Sequence, residues 1–261
     1  MLTRSCFFEQ GILPPWVNQH NPQIWAPDIL ARDDGTYILY FSALHTSHAG
    51  IHCIGTATST SILGPFDSNS DTPFACPVDQ GGAIDASAFL DPDDGSRYVV
   101  YKIDGNALGH GGLCGNTVEP VVSTPIMIQR VAEDWTTPVG EAVQILDRGE
   151  FDGPLVEAPA MMKRDGVYYL FFSSNCYTSA LYDTSYATSA SPKGGFAKAR
   201  FPLLVQGFAP GVAGPGHADV VVEGGEVFMA FHAYATYDDV GGRRAMFVRR
   251  LEVGDSLVKL Q

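Results

Sequence analysis

Two carboxylates stand out by their setting: Asp85 in Ile84-Asp85-Ala86-Ser87-Ala88-Phe89 and Glu157 in Val156-Glu157-Ala158-Pro159-Ala160-Met161. Each opens an apolar stretch that reaches a glycine turn, at Gly95 or Gly166. The chain then returns through aromatics, Tyr98-Val99-Val100-Tyr101 and Tyr168-Tyr169-Leu170-Phe171-Phe172. Two carboxyl groups at one cleft are the equipment of glycosidic bond hydrolysis: one protonates the leaving oxygen, the other works on the opposite face of the sugar. The apolar neighbours of Glu157 predict a dry setting for its side chain, as a proton-donating carboxyl needs. Taken singly, Glu157 also reads as a strand end and Asp85 as a turn cap. Their matched places favour a shared site.

The same strand pattern occurs twice more, as Trp25-Ala26-Pro27-Asp28-Ile29 before Gly35 and His217-Ala218-Asp219-Val220-Val221 before Gly224-Gly225. The leading residues Trp25, Asp85, Glu157 and His217 follow one another at intervals of 60, 72 and 60 residues. A repeat that delivers one distinctive side chain per unit to the same place assembles a site. His217 follows Gly214-Pro215-Gly216, which lets backbone approach closely; it reads either as a hydrogen-bonded structural residue or as a holder of water or a metal ion. Trp25 and Trp16 are candidates to stack on sugar faces or to fill the core. Arg243 and Arg244 are candidate donors to sugar hydroxyls or solvated turn residues. Asp28, after Pro27, reads either as a partner to a neighbouring repeat or as a substrate contact.

These residues need a scaffold that brings the repeats around a common axis. Each hairpin is followed by a third strand, for example His52-Cys53-Ile54-Gly55-Thr56-Ala57-Thr58 or Pro125-Ile126-Met127-Ile128-Gln129-Arg130-Val131, and by a weaker fourth such as Ala142-Val143-Gln144-Ile145-Leu146. Three to four antiparallel strands per unit of this size describe a propeller blade. A two-sheet sandwich is the alternative, but it has no reason to repeat a distinctive residue before each hairpin. The reading is an all-β, single-domain propeller over 1–261, with blades near 25–82, 83–154, 155–216 and 217–261 and residues 1–24 as the remnant of an earlier, incomplete blade.

Composition bounds the partners. The 261 residues carry a formal net charge of −13, which disfavours nucleic acid and anionic membrane surfaces, since both need clustered Lys and Arg. No apolar run reaches the roughly 18 residues of a membrane span. Cys6, Cys53, Cys76, Cys114 and Cys176 show no zinc spacing and leave disulfides and free thiols both open. Residues 1–10 turn polar too early for a signal peptide, so the expectation is an intracellular protein or one whose leader has been removed.

The ordered set Trp25-Ala26-Pro27-Asp28-Ile29, Ile84-Asp85-Ala86-Ser87-Ala88-Phe89, Val156-Glu157-Ala158-Pro159 with Tyr168-Tyr169-Leu170-Phe171-Phe172-Ser173, and Gly214-Pro215-Gly216-His217 resembles glycoside hydrolase family 43 over roughly residues 12 to 253. The resemblance implies a five-bladed β-propeller, here with its first blade incomplete. It implies an inverting hydrolase of α-L-arabinofuranosidase or β-xylosidase type, acting on arabinose- or xylose-containing plant oligosaccharides and polysaccharides and requiring no cofactor. On that basis Glu157 is the general acid and Asp85 the residue that orients and tunes it. His217 is the axial histidine that in some members holds calcium or a central water, and Arg243 or Arg244 is a substrate contact. Secretion is implied as well. One motif is missing: the family's catalytic base is an aspartate in an Asp-Pro pair upstream of the Trp-Ala-Pro-Asp strand, and residues 1–24 contain only Glu9 as a carboxylate. The expectation is therefore weak or absent hydrolysis, with a non-catalytic carbohydrate-binding propeller as the alternative. The open edge of an incomplete blade adds the expectation of a homo-oligomer or of a rearranged N-terminal segment.

Overall fold

A computed structural model describes residues 13–68, 70–209, 211–236 and 240–261. They form four four-stranded antiparallel sheets, each a simple meander. The first holds β1 (Trp25–Ala31), β2 (Tyr37–Leu44), β3 (His52–Ser59) and β4 (Asp67–Ser68). The second holds β5 (Ala83–Leu90), β6 (Arg97–Ile103), β7 (Ile126–Val131) and β8 (Val143–Leu146). The third holds β9 (Val156–Arg164), β10 (Val167–Ser174), β11 (Asp183–Ser189) and β12 (Ala197–Lys198). The fourth holds β13 (Ala213–Glu223), β14 (Glu226–Tyr234), β15 (Arg244–Gly254) and β16 (Leu257–Leu260). This is a β-propeller with four blades among the described residues.

The aromatic strands explain the stacking. Successive strand residues point to opposite faces, and both faces of β10 are covered. Tyr168, Leu170 and Phe172 pack with Phe89, Tyr98 and Val100 of the second blade. Tyr169 and Phe171 pack with Met229, Phe231 and Leu251 of the fourth. Ile38, Tyr40 and Ile54 meet Val99, Tyr101 and Ile103 in the same way between the first two blades. The expected remnant of an earlier blade falls on residues 1–24, of which 1–12 lie outside the described residues. Within 13–24, Leu13, Trp16, Val17 and Ile24 lie against Leu39, Phe41 and Ala43 of the first blade. Trp16 is thus a core residue, stacked on Phe41, and not a sugar platform.

Every innermost strand carries a bulge. The register slips between Trp25 and Asp28, between Ile84 and Ser87, between Glu157 and Ala160, and between Gly216 and Asp219. Within each slip one residue has positive φ: Ala26 at 43°, Asp85 at 58°, Ala158 at 52° and His217 at 51°. The equivalent sets are therefore Trp25, Ile84, Glu157, Gly216 and Ala26, Asp85, Ala158, His217. Asp85 and Glu157 do not hold the same place in the repeat, as their sequence setting suggests; they stand one residue apart. Left-handed backbone costs a non-glycine residue on the order of 1 kcal/mol or more, and bulges re-aim side chains next to sites.

The strained residues are held by amide bonds to the preceding blade. Asp85 N–H donates to Ser42 Oγ at 3.2 Å, Ala158 N–H to Asp85 Oδ2 at 3.0 Å and His217 N–H to Ser173 Oγ at 2.8 Å. Further along the axis Ala88 N–H donates to Asp28 Oδ2 at 2.9 Å. Asp28 is a blade-to-blade acceptor. Burial, reinforced by the charge of Asp219, raises its pKa to about 7 against the pull of the Ala88 and Ile29 amides. An aspartate whose folded-state pKa lies above its unfolded value of about 4 contributes full stability at low pH and loses it as pH rises through about 7. Asp28→Asn keeps the acceptor and removes the charge. Its stability relative to the wild type is expected to rise steadily between pH 4 and pH 7, measured by chemical unfolding at several pH values; a constant difference would refute the linkage.

Candidate active site

At one end of the axis the inner strands surround a cavity of about 710 Å³. Trp25, Asp85, Glu157, His217 and Arg244 line it together; Asp28 and Arg243 do not. Arg243 is exposed in the turn before β15. The chain's one Asp-Pro pair, Asp91-Pro92, is also elsewhere. Asp91 is buried in the turn after β5, ion-paired with Lys163 at 2.9 Å and bonded by the Tyr168 hydroxyl.

Glu157 does not sit in the apolar setting that its neighbours in sequence suggest. Its Oε2 accepts from Lys102 Nζ at 3.2 Å and its Oε1 from the Tyr182 hydroxyl at 2.8 Å. Lys102 is fully buried and also lies 3.0 Å from Asp104 Oδ1. Burial alone would push the Lys102 pKa down, but Asp104, Glu157 and Asp85 together raise it, so the ammonium stays charged. Burial, with the charge of Glu157 added, holds the Tyr182 hydroxyl protonated well above its usual range. Asp85 is pushed up by burial and by Glu157, while His217 and Lys102 pull it down. The carboxylate pair is thus coupled through one cation and through the Ala158 amide that Asp85 accepts.

Neither Lys102 nor Tyr182 stood out in the sequence. Lys102 ends an apolar strand, and its register position matches Ser42 and Ser173, opposite the bulge. Those serines accept an amide from the next blade; the lysine cannot, and the Asp85 carboxylate accepts the Ala158 amide instead. Tyr182 lies in the loop between β10 and β11. Its ring occupies the space beside Gly216, where an added Cβ would fall 2.0 Å from a ring carbon.

His217 stands beside His232, with ring centroids 5.8 Å apart. Burial, followed by the charge of Arg244, lowers the His232 pKa to about 3. Arg244 donates from Nε to His232 Nδ1 at 2.6 Å, from Nη1 to the Tyr177 carbonyl at 2.8 Å, and from Nη2 to the Gly214 carbonyl. Most of its donors are spent on holding the wall, and its guanidinium lies 4.2 Å from the Tyr234 ring centre. Calcium prefers six to eight oxygen ligands, whereas the ring packed beside His217 is the His232 imidazole, and the carboxylates that His217 acts on are Asp85 and Asp219. No cluster of three or more His, Cys, Asp or Glu side chains able to hold a metal occurs among the described residues, and no step below is routed through one. Among the described residues the cysteines form two disulfides, Cys53–Cys76 within the first blade and Cys114–Cys176, which ties two loops of the cavity rim; Cys6 lies outside the described residues.

The sequence matches Glycosyl hydrolases family 43 over residues 12–256, and the chain belongs to that family. Beta-D-galactofuranosidase xynD of Aspergillus niger is 26% identical over 256 residues, covering 93% of this chain and 66% of that protein. The probable arabinan endo-1,5-alpha-L-arabinosidase C of Aspergillus flavus is 29% identical over 169 residues, covering 64% of this chain and 45% of its own length. The chain therefore spans less than two thirds of these relatives. A crystal structure of a thermostable family-43 glycoside hydrolase superposes with a TM-score of 0.77 at 28% identity, over 91% of this chain and 74% of that one.

Removing one partner of a buried ion pair costs about 3–5 kcal/mol, because the other is left uncompensated. Lys102→Met is expected to lose about that much, and Lys102→Met with Glu157→Gln less than the two single variants together. Additive losses in chemical unfolding would show that the two groups are not coupled. Gly216→Ala is expected to displace Tyr182. Its signature is a loss of stability that largely disappears in a Tyr182→Ala background; an undiminished loss would place the strain elsewhere.

Proposed function

We propose that this protein is a glycoside hydrolase-type propeller for arabinose- or xylose-containing plant cell-wall saccharides, of α-L-arabinofuranosidase or β-xylosidase type, with Glu157 as general acid and Asp85 as its orienting and tuning partner. The observation that carries this reading is the Glu157 carboxyl at the cavity wall. Lys102 and Tyr182 fix its oxygens, and Asp85 is bonded to the backbone of the very next residue. A carboxyl so held can give its proton to a leaving oxygen in a fixed direction, and the adjacent ammonium stabilises the carboxylate that remains. Trp25, half-exposed at the rim, offers a ring face to a sugar. Arg244 and His217 complete the wall, with His217 on the axis.

In an inverting mechanism a second carboxylate must activate water across the sugar, roughly 6.5–9.5 Å from the acid. Asp85 is bonded beside the acid, and Asp104 is paired with the same lysine. Neither is free to take that part, and no Asp-Pro pair precedes Trp25. We infer that hydrolysis by the 261-residue chain is weak or absent and that saccharide binding persists. The exposed outer face of the fourth blade, with Met246 at 76% and Val248 at 51%, supports a five-bladed ring whose incomplete position is covered by further chain or by a second copy.

Turnover of nitrophenyl arabinofuranoside, xyloside and galactofuranoside is expected to be slow or undetectable, with arabino- and xylo-oligosaccharides still binding in calorimetry. Robust turnover abolished by Glu157→Gln would overturn the inactive part of this reading while keeping its acid. Neither binding nor turnover would overturn the whole.

A further inference from the structure

Tyr177, in the loop between β10 and β11, lines the same cavity. It is 52% exposed, although the chain around it is held on both sides. Its carbonyl accepts two donors, the Tyr234 hydroxyl at 3.0 Å and Arg244 Nη1 at 2.8 Å. Its neighbour Cys176 is buried and bonded to Cys114, 62 residues earlier in the chain. The Cys176 carbonyl accepts the Ser179 amide at 2.8 Å, and the Ser179 carbonyl accepts the Tyr182 amide at 3.2 Å. The Tyr182 hydroxyl in turn holds Glu157 Oε1 at 2.8 Å. One short loop thus carries an open tyrosine at the rim and the hydroxyl that orients Glu157 within.

A single exposed aromatic is ordinary on a protein surface. An exposed tyrosine on a pinned backbone at a cavity rim is a different case. A ligand that settles on it has only two side-chain torsions to order, so little of the contact is lost to conformational entropy. Trp25 belongs to the first blade and Tyr177 to the third, with the second blade between them, so the two rings stand on different sides of the mouth. The cavity of about 710 Å³ is in the range that holds a drug-sized ligand, and one pentose ring does not fill it. A proton donor at Glu157 acts on the oxygen that joins two units. The unit attached through that oxygen lies on the donor's side, where the Tyr177 loop stands. We propose that Tyr177 is the platform for a second sugar unit, the one on the leaving side of the bond. The ligand class is then a saccharide of two or more units, and a single glycoside uses only part of the site. This inference rests on the saccharide reading above and deepens it, by naming the residue that selects for chain length.

The test is calorimetric and needs no turnover. Xylobiose is compared with methyl β-D-xylopyranoside, and α-1,5-arabinobiose with methyl α-L-arabinofuranoside, on the wild type, Tyr177→Ala and Tyr177→Phe. On the wild type the disaccharide of the pair that fits is expected to bind about three- to tenfold tighter than its methyl glycoside. Tyr177→Ala should bring that ratio close to one. Tyr177→Phe keeps the ring and should keep the ratio. The ratio, and not the disaccharide affinity alone, is the readout, because a general disturbance of Tyr182 or Glu157 would weaken both ligands together. The side chain is open to solvent, so both variants are expected to fold. Equal affinity for the disaccharides and the methyl glycosides on the wild type, or a preference that survives Tyr177→Ala, would overturn the second platform and leave the glycosidase reading standing. A wild type that binds none of the four ligands would overturn both.

Discussion

The bulge in each innermost strand is the constraint on which the site depends. A regular strand would alternate its side chains between two neighbouring blades and offer nothing to the axis. The slipped residue breaks that alternation, takes a left-handed conformation and turns its neighbours toward the cavity. Ala26, Asp85, Ala158 and His217 all sit in such positions. The last three are each tied by their own amide to the blade before. These bonds repay the strain and fix the angle between blades at the same time. The cavity is a by-product of how blades are joined, which is why a carboxylate that lines it, Asp85, also serves as a joint.

That double use sets the electrostatics. Asp85 accepts the Ala158 amide because the position that is serine in two other blades is Lys102 in the second. The lysine is buried among Asp85, Asp104 and Glu157, three carboxyl groups around one ammonium. Such a cluster is costly to bury and is held by directional bonds. Each bond therefore constrains the next: Tyr182 fixes one oxygen of Glu157, Lys102 the other, and Gly216 exists as glycine because the Tyr182 ring fills its side-chain space.

The fold was readable because propeller strands are covered on both faces. Tyr168 to Phe172 is an unbroken apolar run rich in aromatics for that reason, and four such runs announce four blades. Trp25, Asp85, Glu157 and His217 were readable as cavity residues because they interrupt apolar strands. Their exact equivalence was not, since a one-residue bulge leaves side-chain types in place and shifts only their geometry. Lys102 passes for a solvent-facing strand end in Tyr98-Val99-Val100-Tyr101-Lys102-Ile103, and only its pairing with Ile84 shows which way it turns. Tyr182 lies in a loop and Asn106 in a single 3-10 turn (Gly105–Leu108), neither with a periodic pattern. The disulfides close separations of 23 and 62 residues, and spacing alone does not point to either.

The cavity walls differ from one blade seam to the next. Between the second and third blades every polar atom of Glu157 is engaged, so that wall is rigid before any ligand arrives. Between the first and second blades the buried His52 ring carries the Trp25 indole, a wall built by ring packing and not by ion pairs. Preorganised groups favour chemistry at a fixed point. The rim that closes over both walls is drawn together by Cys114–Cys176 and by the Arg244 bond to the Tyr177 carbonyl. The hydrogen bonds that join the second blade to the third therefore also fix where the Glu157 carboxyl stands.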